Sequence, residues 1–366
     1  MTGATAEPRV VQLYDVARSA HLERAVATEP RPVLLYRRTR YDFDQELLNA
    51  VNARRLGFWS SVAYALSADV DVIEVNEPLS GDSSLPGVAF AAAARLRAAV
   101  QGRPRPLLVS YAIENLDPGV LVGNLPLKAR WRHRLRHLTT PLLWRWMDRI
   151  VYGTAQAQAV YARAFARSSR APRGVLIEAL PAPEPVAAAS REQVIVFLGD
   201  LSERKGFPDV IDAWPDVRSA VPGARLLVIG RGAGADALSS LAAADERVTA
   251  IIDPPRAEIA GLLRAAKVLV LPSRRRPLWR EQVGLPLVEG LANGCLIVTT
   301  TETGIADWLS RHHHWVLPEA DLPERLADAL VTALTSTRTP AGVQADLPQV
   351  DGRRAAQDWL YRPGTP

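Results

Sequence analysis

Short runs rich in Val, Ile and Leu alternate along this chain with stretches of helical periodicity, and this alternation constrains the fold more than any other feature. Continuous apolar runs of roughly four to eight residues suit strands buried on both faces, the condition of a parallel sheet covered by helices. Candidate strands of the first half fall at 32–36, 70–75, 106–111, 150–152 and 174–177, with helical patterns near 44–66, 87–100, 126–147 and 155–166. The stretch 179–190, with Pro181, Pro183 and Pro185 among small residues, reads as a connector. A second sheet begins at Val194, with helices near 208–217, 235–244, 256–266, 286–293 and 322–334, and 353–361 reads as a short closing helix. The pattern predicts an α/β chain of two doubly wound domains, whose ligands bind outside the carboxyl ends of the strands.

Length agrees, because 366 residues exceed one typical domain and an apolar content of 48% can fill two cores. A single cysteine, Cys295, excludes an internal disulfide and a cysteine zinc cluster, and reads as a buried, inert thiol. The first thirty residues carry Glu7, Asp15, Glu23 and Glu29, so no signal peptide is expected, and no uncharged apolar run reaches the ~18 residues of a membrane span. The expectation is a soluble cytoplasmic protein. The net charge of +5 comes almost entirely from arginine, with lysine only at Lys128, Lys205 and Lys267. These charges are not interleaved with a recognition module, so no nucleic-acid partner is expected.

Candidate chemistry gathers between Pro272 and Val298. Val268–Leu271 reads as a buried strand, a basic loop follows, and Pro286 suits the first turn of a helix, where its missing N–H costs nothing. Glu281 then lies in the loop and Glu289 one turn into the helix. Their eight-residue spacing alone says little, since Glu184 and Glu192 repeat it inside the connector. A helix start offers unpaired N–H groups and a positive dipole end to a phosphate, and Gly284 lets backbone approach it. The carboxylates cannot bind phosphate, which leaves them hydroxyl groups or a structural role. A nucleotide sugar carries both kinds of group.

The order Pro272-Ser273, Glu281, Gly284, Glu289, Gly294 resembles the Glu-x7-Glu signature of retaining glycosyltransferases of the GT-B fold, family 4 in particular. Upstream, Val194 to Gly206, with Gly199, Arg204, Lys205 and Gly206, resembles the family's strand, glycine turn and Lys-Gly helix opening. Ala224 to Gly232, with Gly230 and Arg231, resembles its second strand and turn. The resemblance covers roughly 192–335. It implies a GT-B-like pair of Rossmann-like domains: 1–182 for the acceptor, 183–192 as linker, 193–336 for the nucleotide sugar, and a tail 337–366 whose closing helix can cross back. It further implies that Glu281 contacts the donor sugar, that Glu289 holds the ribose, and that Gly284 lies near the diphosphate. Lys205 would stabilise the leaving diphosphate. Gly199, Gly230 and Arg231 border the nucleotide, although a glycine turn after a strand is also ordinary structure.

Departures from the family are specific. Asp200 stands where an arginine is common, so either Arg204 supplies the second positive charge or the phosphate site is weaker. Of Thr303 and Gly304 only the second matches a common glycine pair. In the first half, Tyr36-Arg37-Arg38-Thr39-Arg40 replaces a glycine-rich loop, and Val109 to Asn115 lacks a histidine, leaving Glu114 and Asn115 as candidates for sugar hydroxyls. His312, His313 and His314 invite a metal reading, but consecutive side chains diverge, and a surface turn is the simpler reading. Between Lys128 and Arg149, arginines at 130, 132, 134, 136 and 145 flank Trp131, Leu135, Leu138, Leu142 and Trp146. That amphipathic stretch suits either packing on its own sheet or an anionic membrane surface that presents a lipid-linked acceptor.

The resemblance therefore implies transfer of a sugar from a nucleotide-diphosphate donor to an acceptor hydroxyl, with retention, without metal and without a resident cofactor. Two further readings stay open: a non-catalytic partner that only binds nucleotide sugar, and a nucleotide-sugar epimerase.

Overall fold

The two apolar patterns become two parallel sheets in the computed structural model, which describes residues 7–40, 43, 45–80, 83–186 and 191–362. The chain divides into two compact units: 1–153 with 157–177 and 353–366, and 154–156 with 178–352.

In the first unit β1 (Val10–Ala17), β2 (Val33–Thr39), β3 (Ala53–Arg55), β4 (Val72–Val75), β5 (Leu107–Ala112), β6 (Arg149–Tyr152) and β7 (Arg173–Leu176) form one sheet. Their order is β3-β2-β1-β4-β5-β6-β7, with parallel pairing throughout. Side chains alternate between the faces with period two. Ile73, Leu108 and Ile150 meet Phe90, Leu143, Trp144 and Tyr161 on one face, whereas Val72, Val109 and Val151 meet Ala356, Leu360 and Tyr361 on the other. The closing helix Gly352–Tyr361 thus packs on the first unit. Buried Glu74 anchors it, accepting hydrogen bonds from Arg353, the Tyr361 hydroxyl, Gln12 Nε2 at 3.0 Å and the Tyr14 hydroxyl at 3.4 Å. Burial raises the carboxyl's pKa, but the Arg353 charge and the Tyr361 hydrogen bond outweigh it and hold Glu74 below its ordinary value.

β1 is absent from the sequence expectation because Gln12 and Asp15 interrupt its apolar run. Both are buried here and satisfied, Gln12 by Glu74 and Asp15 by Arg37 at 2.6 Å and by Arg38. The expected helix 44–66 begins at Asp44, outside the described residues. The rest becomes a 3-10 turn Leu47–Ala50, the edge strand β3 and a helix Phe58–Ser67, since Ala53 to Arg55 extend along β2 instead of coiling. The expected helix 126–147 breaks into Leu127–His137 and Thr140–Trp146, with Pro141 in the first turn of the second.

The second unit contains β8 (Val194–Leu198), β9 (Arg225–Ile229), β10 (Val248–Ile251), β11 (Val268–Leu271), β12 (Leu296–Thr300) and β13 (Trp315–Leu317). The parallel order β10-β9-β8-β11-β12-β13 is that of a dinucleotide-binding sheet, with its switch point between β8 and β11. Helices Leu285–Ala292 and Leu322–Thr335 pack against β11 and β12.

The expected boundary at 182/183 moves to 177/178. Glu178 pairs with Arg311 at 3.0 Å, and Leu180 O accepts from Gly352 N–H at 2.8 Å, which ties the start of the connector into the second unit. Within the expected linker 183–192, residues 187–190 lie outside the described set. The expected tail 337–366 is divided, because helix Pro340–Gln344 stays with the second unit, where Gln344 donates to Glu184 O at 2.7 Å.

Candidate functional site

Loops that leave the carboxyl ends of β8 and β11 meet at the switch point of the second sheet. After β8 the chain turns through Gly199 and Asp200 into a 3-10 turn Glu203–Lys205, and helix Phe207–Ala220 follows Gly206. Gly206 has φ 70°, and a Cβ there would fall 2.1 Å from the carbonyl oxygen of Pro272, the residue after β11. The two loops therefore touch, and Arg274 N–H donates to Arg204 O at 3.0 Å across them.

That approach places Lys205 against Glu281. The ammonium donates to the Glu281 carboxylate, whose Oε2 also accepts from the buried Ser273 hydroxyl at 3.1 Å. Both side chains of the pair are nearly buried, at 12% and 11% exposed. Glu281 is held from behind as well: Gly304 N–H donates to its carbonyl at 3.1 Å, and it pairs with Thr303 in a parallel bridge. Thr303 Oγ1 donates to Val283 O at 3.0 Å, so threonine at the first position of the expected glycine pair locks this loop.

Gly284, at φ 83°, precedes helix Leu285–Ala292, with Pro286 in its first turn, and half-buried Glu289 is the fifth helical residue. Leu287 and Val288 N–H groups turn back to Gly284 O at 2.8 and 3.2 Å. The helix end consequently offers an anion fewer donors than an open first turn would.

Two features of this site escape sequence reasoning. Trp279, in the basic loop, lies with its ring centroid 4.9 Å from Arg204 Cζ and 5.4 Å from Lys205 Nζ, a shared cation–π platform. Arg280 donates to Glu302 at 2.9 Å and so braces the loop before Glu281. A tryptophan in a loop with four arginines is the only sequence signal of the platform. Arg204 also donates to Asp200 at 3.1 Å, so the residue that departs from the family holds the cation beside it.

The remaining candidates divide. Gly199 and Gly230 meet each other, since a Cβ on Gly230 would fall 1.8 Å from Gly199 O, and this close approach is a structural reason for glycine there. Arg231 is exposed and pairs with Asp253 at 3.1 Å. In the first unit Arg37 and Arg38 are tied to Asp15. Glu114 Oε1 accepts from Leu116 N–H at 2.9 Å, and Asn115 is buried. Beneath them Glu77 accepts from the N–H groups of Ile113 and Glu114, at 3.1 and 2.9 Å, and from the Tyr161 hydroxyl at 3.2 Å. Burial, then the Glu114 charge, push its carboxyl up to about 8.

His314 departs from the surface reading. It is buried, its Nδ1 accepts from Ile297 N–H at 3.1 Å, and burial lowers it to about 3, so it stays neutral. His312 stacks on Trp308. Among the described residues no group of three or more His, Cys, Asp or Glu is placed to hold a metal. Cys295 is buried, and burial pushes its thiol up to about 11. No helix of the described residues is long and apolar enough to cross a membrane.

Residues 192–336 match the family of glycosyl transferases group 1. A D-inositol 3-phosphate glycosyltransferase of Segniliparus rotundus is 30% identical over 152 residues, which are 40% of this chain and 33% of that protein, so the chain spans about a third of this curated relative. Among solved structures, Anabaena HepE in complex with UDP superposes with TM-score 0.68 at 16% identity, over 97% of each chain. WaaG, a glycosyltransferase involved in lipopolysaccharide biosynthesis, gives 0.57 at 14% identity, over 97% of this chain and 100% of that one. Sucrose-phosphate synthase from Thermosynechococcus elongatus gives 0.60 at 17%, over 96% of each. The chain has the GT-B fold of these solved structures, and its residues 192–336 are similar to the group 1 glycosyl transferases.

Proposed function

We propose that this chain transfers a sugar from a nucleotide-diphosphate sugar to an acceptor hydroxyl, with retention and without a metal ion. The observation that carries the reading is the Lys205–Glu281 pair, nearly buried where β8 and β11 diverge. Such a cation stabilises negative charge that develops on a departing diphosphate, at the moment the glycosidic bond to it breaks. Glu281 holds the lysine in place and offers its carboxylate to sugar hydroxyls. Glu289 takes the ribose hydroxyls, and the backbone around Gly284 and Gly199 lies along the diphosphate. Arg204 and Trp279 supply a cationic and aromatic wall. Gly230 and Arg231 border the nucleotide.

UDP and UDP-glucose are the first ligands to test, because HepE is known in complexes with both. Calorimetry with a panel of nucleotide sugars, followed by product analysis, separates the readings. The expected outcome is nucleotide binding weakened about 10–100-fold in Glu289→Ala, through loss of a charged hydrogen bond. Lys205→Ala should depress turnover far more than binding. Unchanged affinity in Glu289→Ala would remove the ribose assignment. One observation favours the reading as a non-catalytic nucleotide-sugar-binding partner: Asp200 draws on the charge of Arg204 at 3.1 Å. Binding without transfer or hydrolysis would establish that alternative, and an isomerised donor would establish the epimerase.

A further inference from the structure

Between Asp117 and Asp148 the chain carries Lys128, Arg130, Arg132, Arg134, Arg136 and Arg145 and no carboxylate. The remaining 38 Lys and Arg residues face all 39 carboxylates, so the excess positive charge of the chain resides in this one segment. Four of its apolar residues stand outside the first unit's core. Leu127, Trp131 and Leu138 are 73%, 66% and 72% exposed, and Leu142 is 39% exposed. Thr140, Leu143 and Trp144 are the buried residues that anchor helix Thr140–Trp146. Of the two alternatives open to the amphipathic pattern, packing on the sheet fails at Trp131 and Leu138. Arg132, Leu135 and Arg136 have side chains outside the described set.

Leu127 and Trp131 are four residues apart on helix Leu127–His137 and share one side of it, and exposed Leu138 is the first residue beyond its end. Exposed Arg134 falls on that side, between Trp131 and Leu138, with exposed Lys128 at its flank. Next to this edge Arg130, Arg134, His137 and Arg163 line an open hollow of about 610 Å³ in the first unit. Arg130, Arg134 and Arg163 form no ion pair among the described residues.

We propose that the segment 118–147 docks this protein on an anionic lipid bilayer. Leu127, Trp131, Leu138 and Leu142 enter the interface, and Lys128, Arg130 and Arg134 meet lipid phosphates. Exposed leucine and tryptophan beside cations are the composition of an interfacial helix, whereas a nucleic acid would gain from the charges alone. The inference is independent of the donor site, because none of these residues belongs to the second unit.

Vesicle co-sedimentation of the full chain, without nucleotide, tests it. Phosphatidylcholine vesicles containing phosphatidylglycerol should bind the protein, pure phosphatidylcholine should not, and added salt should weaken the binding. Lys128→Gln/Arg130→Gln/Arg134→Gln should lower the partition coefficient about a hundredfold, given about fivefold per charge. Leu127→Ser/Trp131→Ala/Leu138→Ser should lower it at every salt concentration, with the thermal transition retained because these side chains are exposed. The proposal is overturned by absence of binding to the anionic vesicles, by equal binding to neutral ones, by variants that bind like the parent, or by duplex DNA that displaces the vesicles.

Discussion

Replacing Arg353 by methionine should loosen the closing helix from the first unit, and the structure sets the size of the effect. Glu74 is 1% exposed, and Arg353 is its only cationic partner among the hydrogen bonds described. Removing one member of a buried pair typically costs about 3–5 kcal/mol, since the other charge is left uncompensated. Here Tyr361, Gln12 and Tyr14 still donate to the carboxylate, which argues for the lower end, about 3 kcal/mol. In a unit of this size that loss lowers the melting temperature by about 6–12 °C. The pH dependence follows from the sign of the Glu74 shift. Its folded pKa is depressed, so in the parent the pair contributes stability above the unfolded carboxyl value, and this is lost as pH falls through the folded value. In Arg353→Met burial loses its largest counterweight, the carboxyl takes up a proton more readily, and the deficit against the parent shrinks from pH 7 to pH 5. Glu74→Gln/Arg353→Met should be less destabilised at pH 7 than Arg353→Met alone. Melting curves followed by circular dichroism, with limited proteolysis after residue 352, read each outcome. Additive single and double variants, or a deficit equal at pH 5 and pH 7, would refute the reasoning.

Two further predictions concern loops. A Cβ at Gly304 would fall 1.8 Å from the carbonyl oxygen of Gln282, so Gly304→Ala must push the strand of loop that carries Glu281 back by about 1 Å. Displacement of that order costs roughly a hundredfold in turnover; steady-state rates near the parent's would show that Glu281 is not held by this approach. Glu77 has its folded pKa raised to about 8, so its contribution is greatest below the ordinary carboxyl value and declines as pH rises toward 8. Glu77→Gln keeps an oxygen to accept from Ile113, Glu114 and Tyr161, and should flatten that decline in denaturant titrations between pH 5 and pH 8; an unaltered slope counts against it.

What the sequence discloses, and what it conceals, follows from the range over which each signal acts. The strand run Val268–Leu271 is legible because burial on both faces makes it continuously apolar. Strand β1 is not, since its polar residues are compensated by Glu74 and Arg37, which lie far along the chain. The approach of Lys205 to Glu281, 76 positions apart, depends on β8 lying beside β11, a topological fact that no local pattern carries. Trp279 is hidden for the same reason, because its partners Arg204 and Lys205 come from the β8 loop. Periodicity in 127–137 shows which residues share a side, but an apolar side looks the same whether it meets a core or a bilayer. Only exposure distinguishes the two, and Leu127 at 73% and Trp131 at 66% exposed assign this side to something outside the first unit's core. Helix Leu127–His137 carries five cations and no carboxylate, an excess that a core-facing helix does not use and an anionic surface would attract, so burial and charge independently support the proposed partner.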